Sequence, residues 1–259
     1  MKRLFKTIVE VDTCLCCGVP VDEWGSWTWF RSGASRTPVC SSCQKQLIRI
    51  PSRIGCPRCR KAPLQKPTLS GVSCWMPATP PERSLPLCHD CRGWLQGVRG
   101  DDLLWNHSFF QYNAFCQSLV ARFKYRGDVA VAGVVNVLLR DVVRGWKPDV
   151  LVPIPVSKER GQERGFNQAK ALIEEAGLLA TDALWRLHRA KQAKGQLAER
   201  FELEGVFQLQ NDVDVTGKRV LLVDDVYTTG ATVHEAAHVL KQSGQAKEVA
   251  SVTMARAVE

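Results

Sequence analysis

Four C-x-x-C pairs stand between residues 14 and 91: Cys14/Cys17, Cys40/Cys43, Cys56/Cys59 and Cys88/Cys91. A C-x-x-C turn aims two thiolates at one tetrahedral ion, and two such turns close a four-sulfur site. Ten of the eleven cysteines precede residue 92. In a reducing compartment that clustering reads as metal binding before disulfides. The same segment is poor in ordinary core material. Prolines at 51, 57, 63, 67, 77, 80, 81 and 86 interrupt it, and it has little sustained periodicity. Metal is therefore expected to supply much of its stability. The eight paired cysteines predict two closed structural Zn2+ sites, which organise the fold and do not catalyse. The pairing is sequential in its simplest form, but a cross-braced pairing is open, because only twelve residues separate Cys43 from Cys56. Thioredoxin-like dithiols open a helix after a strand in a βαβ unit, and none of these pairs has that context. Cys16, Cys74 and Cys116 are left over and read as buried or incidental.

The 259 residues carry a formal net charge of +9. Residues 1–100 hold 15 basic and 6 acidic side chains, so the whole excess lies there and the remainder is balanced. Eight thiolates around two divalent ions would lower the total to +5. The asymmetry suggests a polyanion-facing half. Trp24, Trp27, Trp29 and Phe30 beside Arg31 form either a small core or a platform for unpaired bases. Arg49, Arg53, Arg58, Arg60, Lys61 and Lys66 make a basic run that is either a solvated face or a nucleic-acid contact. The N-terminus has no apolar stretch long enough for a signal peptide or a membrane span, and the expected location is the cytoplasm.

After residue 100 the pattern becomes alternating strands and helices, which indicates a parallel, wound α/β sheet. Helices are expected over 114–125, 129–144 and 166–176. Strands are expected over 149–154, 219–223 and 248–253, with a helix between the last two closing at Gly244. One segment, RVLLVDDVYTTGAT over 219–232, concentrates the chemistry. Its apolar strand ends in Asp224 and Asp225, and a small-residue turn then opens a helix. A helix N-terminus offers free N–H groups and a positive dipole end to a phosphate. Gly230 allows close backbone approach, and the threonine hydroxyls add donors. The two carboxylates can accept from sugar hydroxyls or hold hydrated Mg2+. The chain has no G-x-x-x-x-G-K-[ST], so the strand is not paired with a Walker A loop. It has no G-x-G-x-x-G, so a dinucleotide fold lacks support. Residues 152–169 form a donor-rich stretch after a strand, with Ser157, Lys158, Arg160, Arg164 and Asn167. A cationic, polar segment over 189–200 suits a lid over an anion.

The 219–232 stretch resembles the 5-phosphoribosyl 1-diphosphate (PRPP) loop of type I phosphoribosyltransferases. On that resemblance the PRPP-binding residues are Asp224, Asp225, Val226, Tyr227, Thr228, Thr229, Gly230, Ala231 and Thr232. Ser157, Lys158 and Arg164 would contact the diphosphate, and Mg2+ would accompany PRPP. Together with FKYRGD (123–128), the RGFNQ of 164–168 and the Gln192…Glu199-Arg200 segment, behind a cysteine module, the chain resembles the ComF family over nearly its whole length. The resemblance implies a zinc-ribbon or zinc-finger module over 1–100 and a phosphoribosyltransferase-like α/β domain over 101–259. It implies a role in natural competence and DNA uptake, with single-stranded DNA and a helicase-like ATPase as partners. An active phosphoribosyltransferase of unknown acceptor and a PRPP-sensing regulator are the alternatives. The lid departs from the family pattern at Arg189, Ala190 and Lys191 before Gln192, and at Leu203 and Glu204 where the family has Asn. No catalytic residue is assigned.

Overall fold

The run Val220–Val223 is buried at every side chain. A strand with no solvent face needs a layer on each side of its sheet, and the structure supplies both. It is a computed structural model that describes residues 13–21, 39–51, 55–61, 87–97, 102–187 and 205–257. Trp24, Trp27, Trp29, Phe30, Arg31, Arg53, Lys66, Cys74 and the 189–200 segment lie outside the described residues.

In chain order the elements are α1 (Ser41–Gln46), α2 (His89–Gln96), β1 (Asn106–Gln111), α3 (Ala114–Tyr125), a 3₁₀ segment (Val129–Val135), α4 (Asn136–Trp146), β2 (Val150–Pro153), α5 (Lys158–Arg164), α6 (Gln168–Glu175), β3 (Leu184–Arg186), β4 (Phe207–Leu209), β5 (Arg219–Tyr227), α7 (Ala231–Gln242) and β6 (Glu248–Arg256). The main sheet is four-stranded, ordered β1-β6-β5-β2, and every neighbouring pair is parallel. β3 and β4 form a small antiparallel pair. Among the described residues no helix is long and apolar enough to cross a membrane.

Side-chain alternation sorts the core into two clusters. Leu221 and Val223 pack with α3, the 3₁₀ segment, α4 and α6. Val220 and Leu222 pack with α7 and the β3–β4 pair. Each fully buried Leu or Val of this run contributes roughly 1.5–3 kcal/mol. The cysteine segments join these same clusters. Cys14, Cys16 and Cys43 belong to the first, and Cys56, Cys59 and Cys91 to the second. One tetrad thus seals each face of the sheet.

The first tetrad is fastened by Arg122 of α3. Its guanidinium donates to the carbonyls of Leu15 (3.3 Å) and Cys16, and pairs with Asp128 (Nε to Oδ2, 3.1 Å). Leu15 lies over Gly133, where a Cβ would come within 2.7 Å of its Cδ1. The second tetrad is fastened by the backbone of Arg58, which accepts from Asn106 N at 2.7 Å, while the Arg58 side chain donates to Leu103 O.

The expected helix at 114–125 is present with those bounds; Asn113 caps it, accepting from Cys116 N at 2.9 Å. Four expectations change. The helix expected over 129–144 begins as the 3₁₀ segment, because a run of valines crowds the turn and Gly133 must accept Leu15. β5 runs on to Tyr227, since its ladder with β6 continues to Tyr227↔Arg256. β6 likewise extends to Arg256. The stretch 158–164, read as part of a loop, is α5. It is capped by Ser157 and stopped by Gly165 at φ 75°, the left-handed conformation that favours glycine at a helix end.

Removing the Arg122 side chain should cost about 1–3 kcal/mol, since buried carbonyls lose charged donors. Arg122→Ala is expected to lower the melting temperature of the metal-loaded protein by several degrees. An unchanged melt would show that the Leu15–Cys16 docking contributes nothing.

Candidate phosphoribosyl and metal sites

β2 ends at Pro153, opposite Val223 of β5. Beyond that point β5 has β6 on one side and open space on the other. Asp224 and Asp225 occupy that stretch, at the carboxyl end of the parallel strands, where α/β folds hold their ligands. A cleft of about 300 Å³ opens there. Asp224, Asp225, Val226, Thr228 and Thr232 line it from β5, the following turn and α7, and Arg160, Arg164, Asn167 and Gln168 from the opposite wall. Tyr112, Lys124 and Arg186 complete its polar lining.

The acidic pair is held asymmetrically. Asp225 pairs with Lys124 at 2.7 Å. Asp224 accepts from the Asp225 backbone N–H at 2.8 Å. Burial, and next the charge of Asp225, push the Asp224 carboxyl up to about 7 from its ordinary 3.8. The backbone bond and the charges of Lys124 and Arg186 oppose that rise without cancelling it. Across the cleft two guanidinium groups converge. Burial and the neighbouring Arg160 both lower the pKa of Arg186. Two cations held in one cleft repel, and an anion seated between them would remove that cost.

The RGFNQ segment divides its labour. Gly165 ends α5, and Phe166 enters the core against Phe123 (centroids 5.5 Å apart). Asn167 caps α6, its Oδ1 accepting from Ala169 N at 2.9 Å and Lys170 N at 3.4 Å. Its Nδ2 donates to Ile154 O at 3.1 Å and so ties the end of β2 to that helix. Arg164 donates to the buried Gln168 Oε1 at 2.9 Å. FKYRGD is similarly split: Phe123 is fully buried, Lys124 reaches Asp225, and Tyr125 is 75% exposed.

The residues anticipated from sequence are brought to one end of the sheet, but in different roles. Thr228 and Thr232 line the cleft. Thr229, Gly230 and Ala231 form the turn into α7, with Thr229 Oγ1 accepting from Ala231 N at 3.4 Å. Tyr227 faces the other way. It is buried beneath the turn with Arg256 over its ring at 4.4 Å, and its hydroxyl lies 2.2 Å from where a Cβ on Gly230 would sit. Gly230 has φ 88°. Both space and conformation therefore exclude any other residue there. Ser157 spends its hydroxyl on capping α5, accepting from Arg160 N at 3.4 Å. Lys158 is exposed at the start of that helix. Arg160 and Arg164 are the α5 side chains that line the cleft. Arg186, Lys124 and Tyr112 were not singled out as site residues. The basic turn of FKYRGD signalled Lys124, whereas nothing local in LWR marks Arg186, which arrives by β3–β4 pairing.

The eight paired cysteines form two groups, Cys14/Cys17/Cys40/Cys43 and Cys56/Cys59/Cys88/Cys91, each with its sulfurs within 4.8 Å of one another. The pairing is sequential, and the cross-braced alternative falls. Cys17 and Cys40 sulfurs are 3.8 Å apart, and those of Cys59 and Cys88 3.5 Å. A tetrahedron with metal–sulfur bonds of about 2.3 Å has an edge of about 3.8 Å, so both tetrads could hold a metal ion. In the second, hydrogen bonds from Cys59, Cys88 and Cys91 hold the Cys56 thiol far below its usual range, while Cys56, Cys59 and Cys88 push Cys91 far above it. Cys16 and Cys116 are buried outside both tetrads.

Asp224 gives a signed pH prediction. Its folded pKa is raised, so its contribution to stability is complete below about 3.8 and is lost as pH rises through about 7. Asp224→Asn should gain on wild type progressively as pH rises from about 4 to about 7, by roughly 1–3 kcal/mol in all, measured by thermal melts of ligand-free protein. A stability difference independent of pH would contradict the raised carboxyl.

Comparison with known proteins agrees with this geometry. Residues 129–258 match the phosphoribosyl transferase domain family. The chain is 35% identical over 250 residues to the competence protein ComFC of Bacillus subtilis, covering 94% of each chain. It is 29% identical to the competence protein ComFC of Streptococcus pneumoniae, over 94% of this chain and 99% of that one. It is also 29% identical to the DNA utilization protein YhgH of Salmonella typhimurium, over 77% of this chain and 91% of that one. Carrying a phosphoribosyl transferase domain together with two cysteine tetrads, the chain belongs to the ComF family of competence proteins.

Proposed function

We propose that the cleft binds PRPP with Mg2+, and that the protein uses this site while handling incoming single-stranded DNA in natural competence. The observation that carries the reading is a convergence. An acidic strand end, a threonine-rich turn at a helix N-terminus and a wall of guanidinium groups share one cleft, in a chain whose relatives are named competence and DNA utilization proteins.

Asp224 and Asp225 accept hydrogen bonds from the ribose hydroxyls. The turn over Thr228, Thr229, Gly230, Ala231 and Thr232 receives the 5′-phosphate on backbone N–H groups and hydroxyls, assisted by the dipole of α7. Val226 supplies backbone to that wall, and Tyr227 supports it from below. Arg160, Arg164 and Arg186 face the diphosphate, with Lys158 at the exposed start of α5. Mg2+ bound with the ligand would neutralise part of its charge. Each tetrad holds one structural Zn2+ through four thiolates, with no open coordination position. The basic first hundred residues supply the DNA-facing charge, in the cytoplasm and beside a helicase-like ATPase.

One observation favours turnover as a second reading. A carboxyl group titrating near pH 7 at the sugar position is poised to exchange a proton at neutral pH. On that reading diphosphate leaves toward the guanidinium wall as the anomeric carbon develops positive charge.

Calorimetric titration of PRPP–Mg2+ into metal-loaded protein should show saturable binding. Asp225→Asn should weaken it at least tenfold, because a charged acceptor is lost and Lys124 is left without its partner. Absence of heat from the wild type would overturn the PRPP site. The same titration with single-stranded DNA present, followed by a diphosphate assay, separates the alternatives. Consumption of PRPP marks an enzyme, and altered DNA affinity without consumption marks a sensor.

DNA handling has its own test. Anisotropy of a labelled single-stranded oligonucleotide should report binding whose logarithm falls linearly with the logarithm of salt concentration. Binding that is absent, or indifferent to salt, would sink the DNA role.

A further inference from the structure

The second tetrad and the phosphate turn are joined through one short helix. α2 starts on the ligands themselves: Cys88 is its N-cap, and Cys91 lies in its first turn. Trp94 follows Cys91 by three residues, which places both on one side of the helix. Its indole Nε1 donates to the carbonyl of Thr229 at 3.0 Å. Its ring lies flat on His234, with centroids 4.2 Å apart and planes 9° apart. His234 is buried in the first turn of α7. A second route leaves from the other ligand pair. Arg256 donates to the carbonyl of Cys59 at 3.2 Å and covers the Tyr227 ring, and the Tyr227 hydroxyl abuts Gly230. Both halves of the tetrad are therefore linked, through Trp94 and through Arg256 with Tyr227, to the turn that the 5′-phosphate reading uses.

We propose that the second tetrad, closed on a metal ion, fixes the shape of the phosphate turn, with Trp94 as the positioning residue between them. This rests on the PRPP reading of that turn. The argument begins with peptide planarity. In a trans peptide the carbonyl and the following N–H point in opposite directions. Trp94 draws the Thr229 carbonyl toward α2, so the Gly230 N–H is turned away from α2. α2 has eight residues, too few for a stable helix by itself. Its place depends on the sulfurs at its start and on the contacts of Trp94. Opening the tetrad frees α2, withdraws the indole from Thr229 and His234, and leaves the turn able to rotate that peptide. Metal in this tetrad and phosphoribosyl ligand in the cleft thus stabilise each other, by the same factor in both directions.

The test uses the full-length, zinc-loaded protein. PRPP–Mg2+ affinity is measured by calorimetry for wild type, Trp94→Phe and Trp94→Ala. Phenylalanine keeps the ring but loses the N–H, and should weaken binding about fivefold. Alanine should weaken it further. In parallel, zinc release to a coloured chelator is followed with and without PRPP–Mg2+. In wild type the ligand should slow the release of one of the two equivalents. In Trp94→Phe that protection should shrink, at a PRPP concentration that saturates both proteins, a change that general destabilisation would not produce. A wild type that does not bind PRPP overturns the reading of the turn. A wild type that binds PRPP but releases both zinc equivalents at ligand-independent rates overturns the coupling. So does a Trp94→Phe variant that keeps full affinity and full protection.

Discussion

The site depends on a difference in strand length. β2 stops at Pro153 while β5 continues, still laddered to β6, as far as Tyr227. Had both strands ended together, Asp224 and Asp225 would belong to a flexible turn. Instead they are carried on a rigid backbone whose free side faces the cleft. The ladder with β6 fixes their position, and the missing neighbour gives them room. Lys124 from α3 and Arg186 from β3 can then reach the site from elements far apart in the chain. The raised Asp224 carboxyl follows from the same arrangement. The ordered strand holds the Asp224 carboxyl where burial desolvates it, and next keeps the charge of Asp225 beside it.

The cysteine tetrads relate to this frame as clamps on its two faces. The first holds the side where α3, α4 and α6 pack, and Arg122 binds it there. The second holds the side of α7, and Arg58, Arg256 and Trp94 bind it there. Segments lacking cores of their own thus borrow the two cores of the sheet, and in return complete them. The all-thiolate composition and inter-sulfur distances suit ions that stiffen structure. The acidic cleft at the strand ends shares no cysteine with either.

Much of this was legible in the sequence where a physical signal is local. Cysteine spacing marked the metal ligands, although the sequential pairing needed three dimensions. The run Val220–Val223 announced a buried strand, and Asp224, Asp225, Thr228 and Thr232 do share one cleft at its end. The end of β5 was hidden because Asp224 and Asp225 look like the start of a loop, and only the β6 ladder keeps them extended. β1 was hidden for a different reason. Asn106 and Ser108 are buried, but they are satisfied by each other and by Ser251 and Thr253 at 2.7–2.9 Å. A polar network stands where an apolar alternation would have declared a strand. α5 was masked by its charge, with no buried side chain to give a helical period. Arg186 was invisible because a cross-strand pairing delivers it, and the burial of Tyr227 beneath the turn has no local signal.

Tyr227 and Gly230 share one small volume, the phenol oxygen standing close to where a side chain at 230 would begin. The two positions are therefore coupled through space. A residue larger than glycine meets two obstacles there, the phenol oxygen and the left-handed backbone at φ 88°, and a smaller ring would remove only the first. Glycine is held at 230 from two independent directions, so relaxing the packing there leaves the backbone requirement in force.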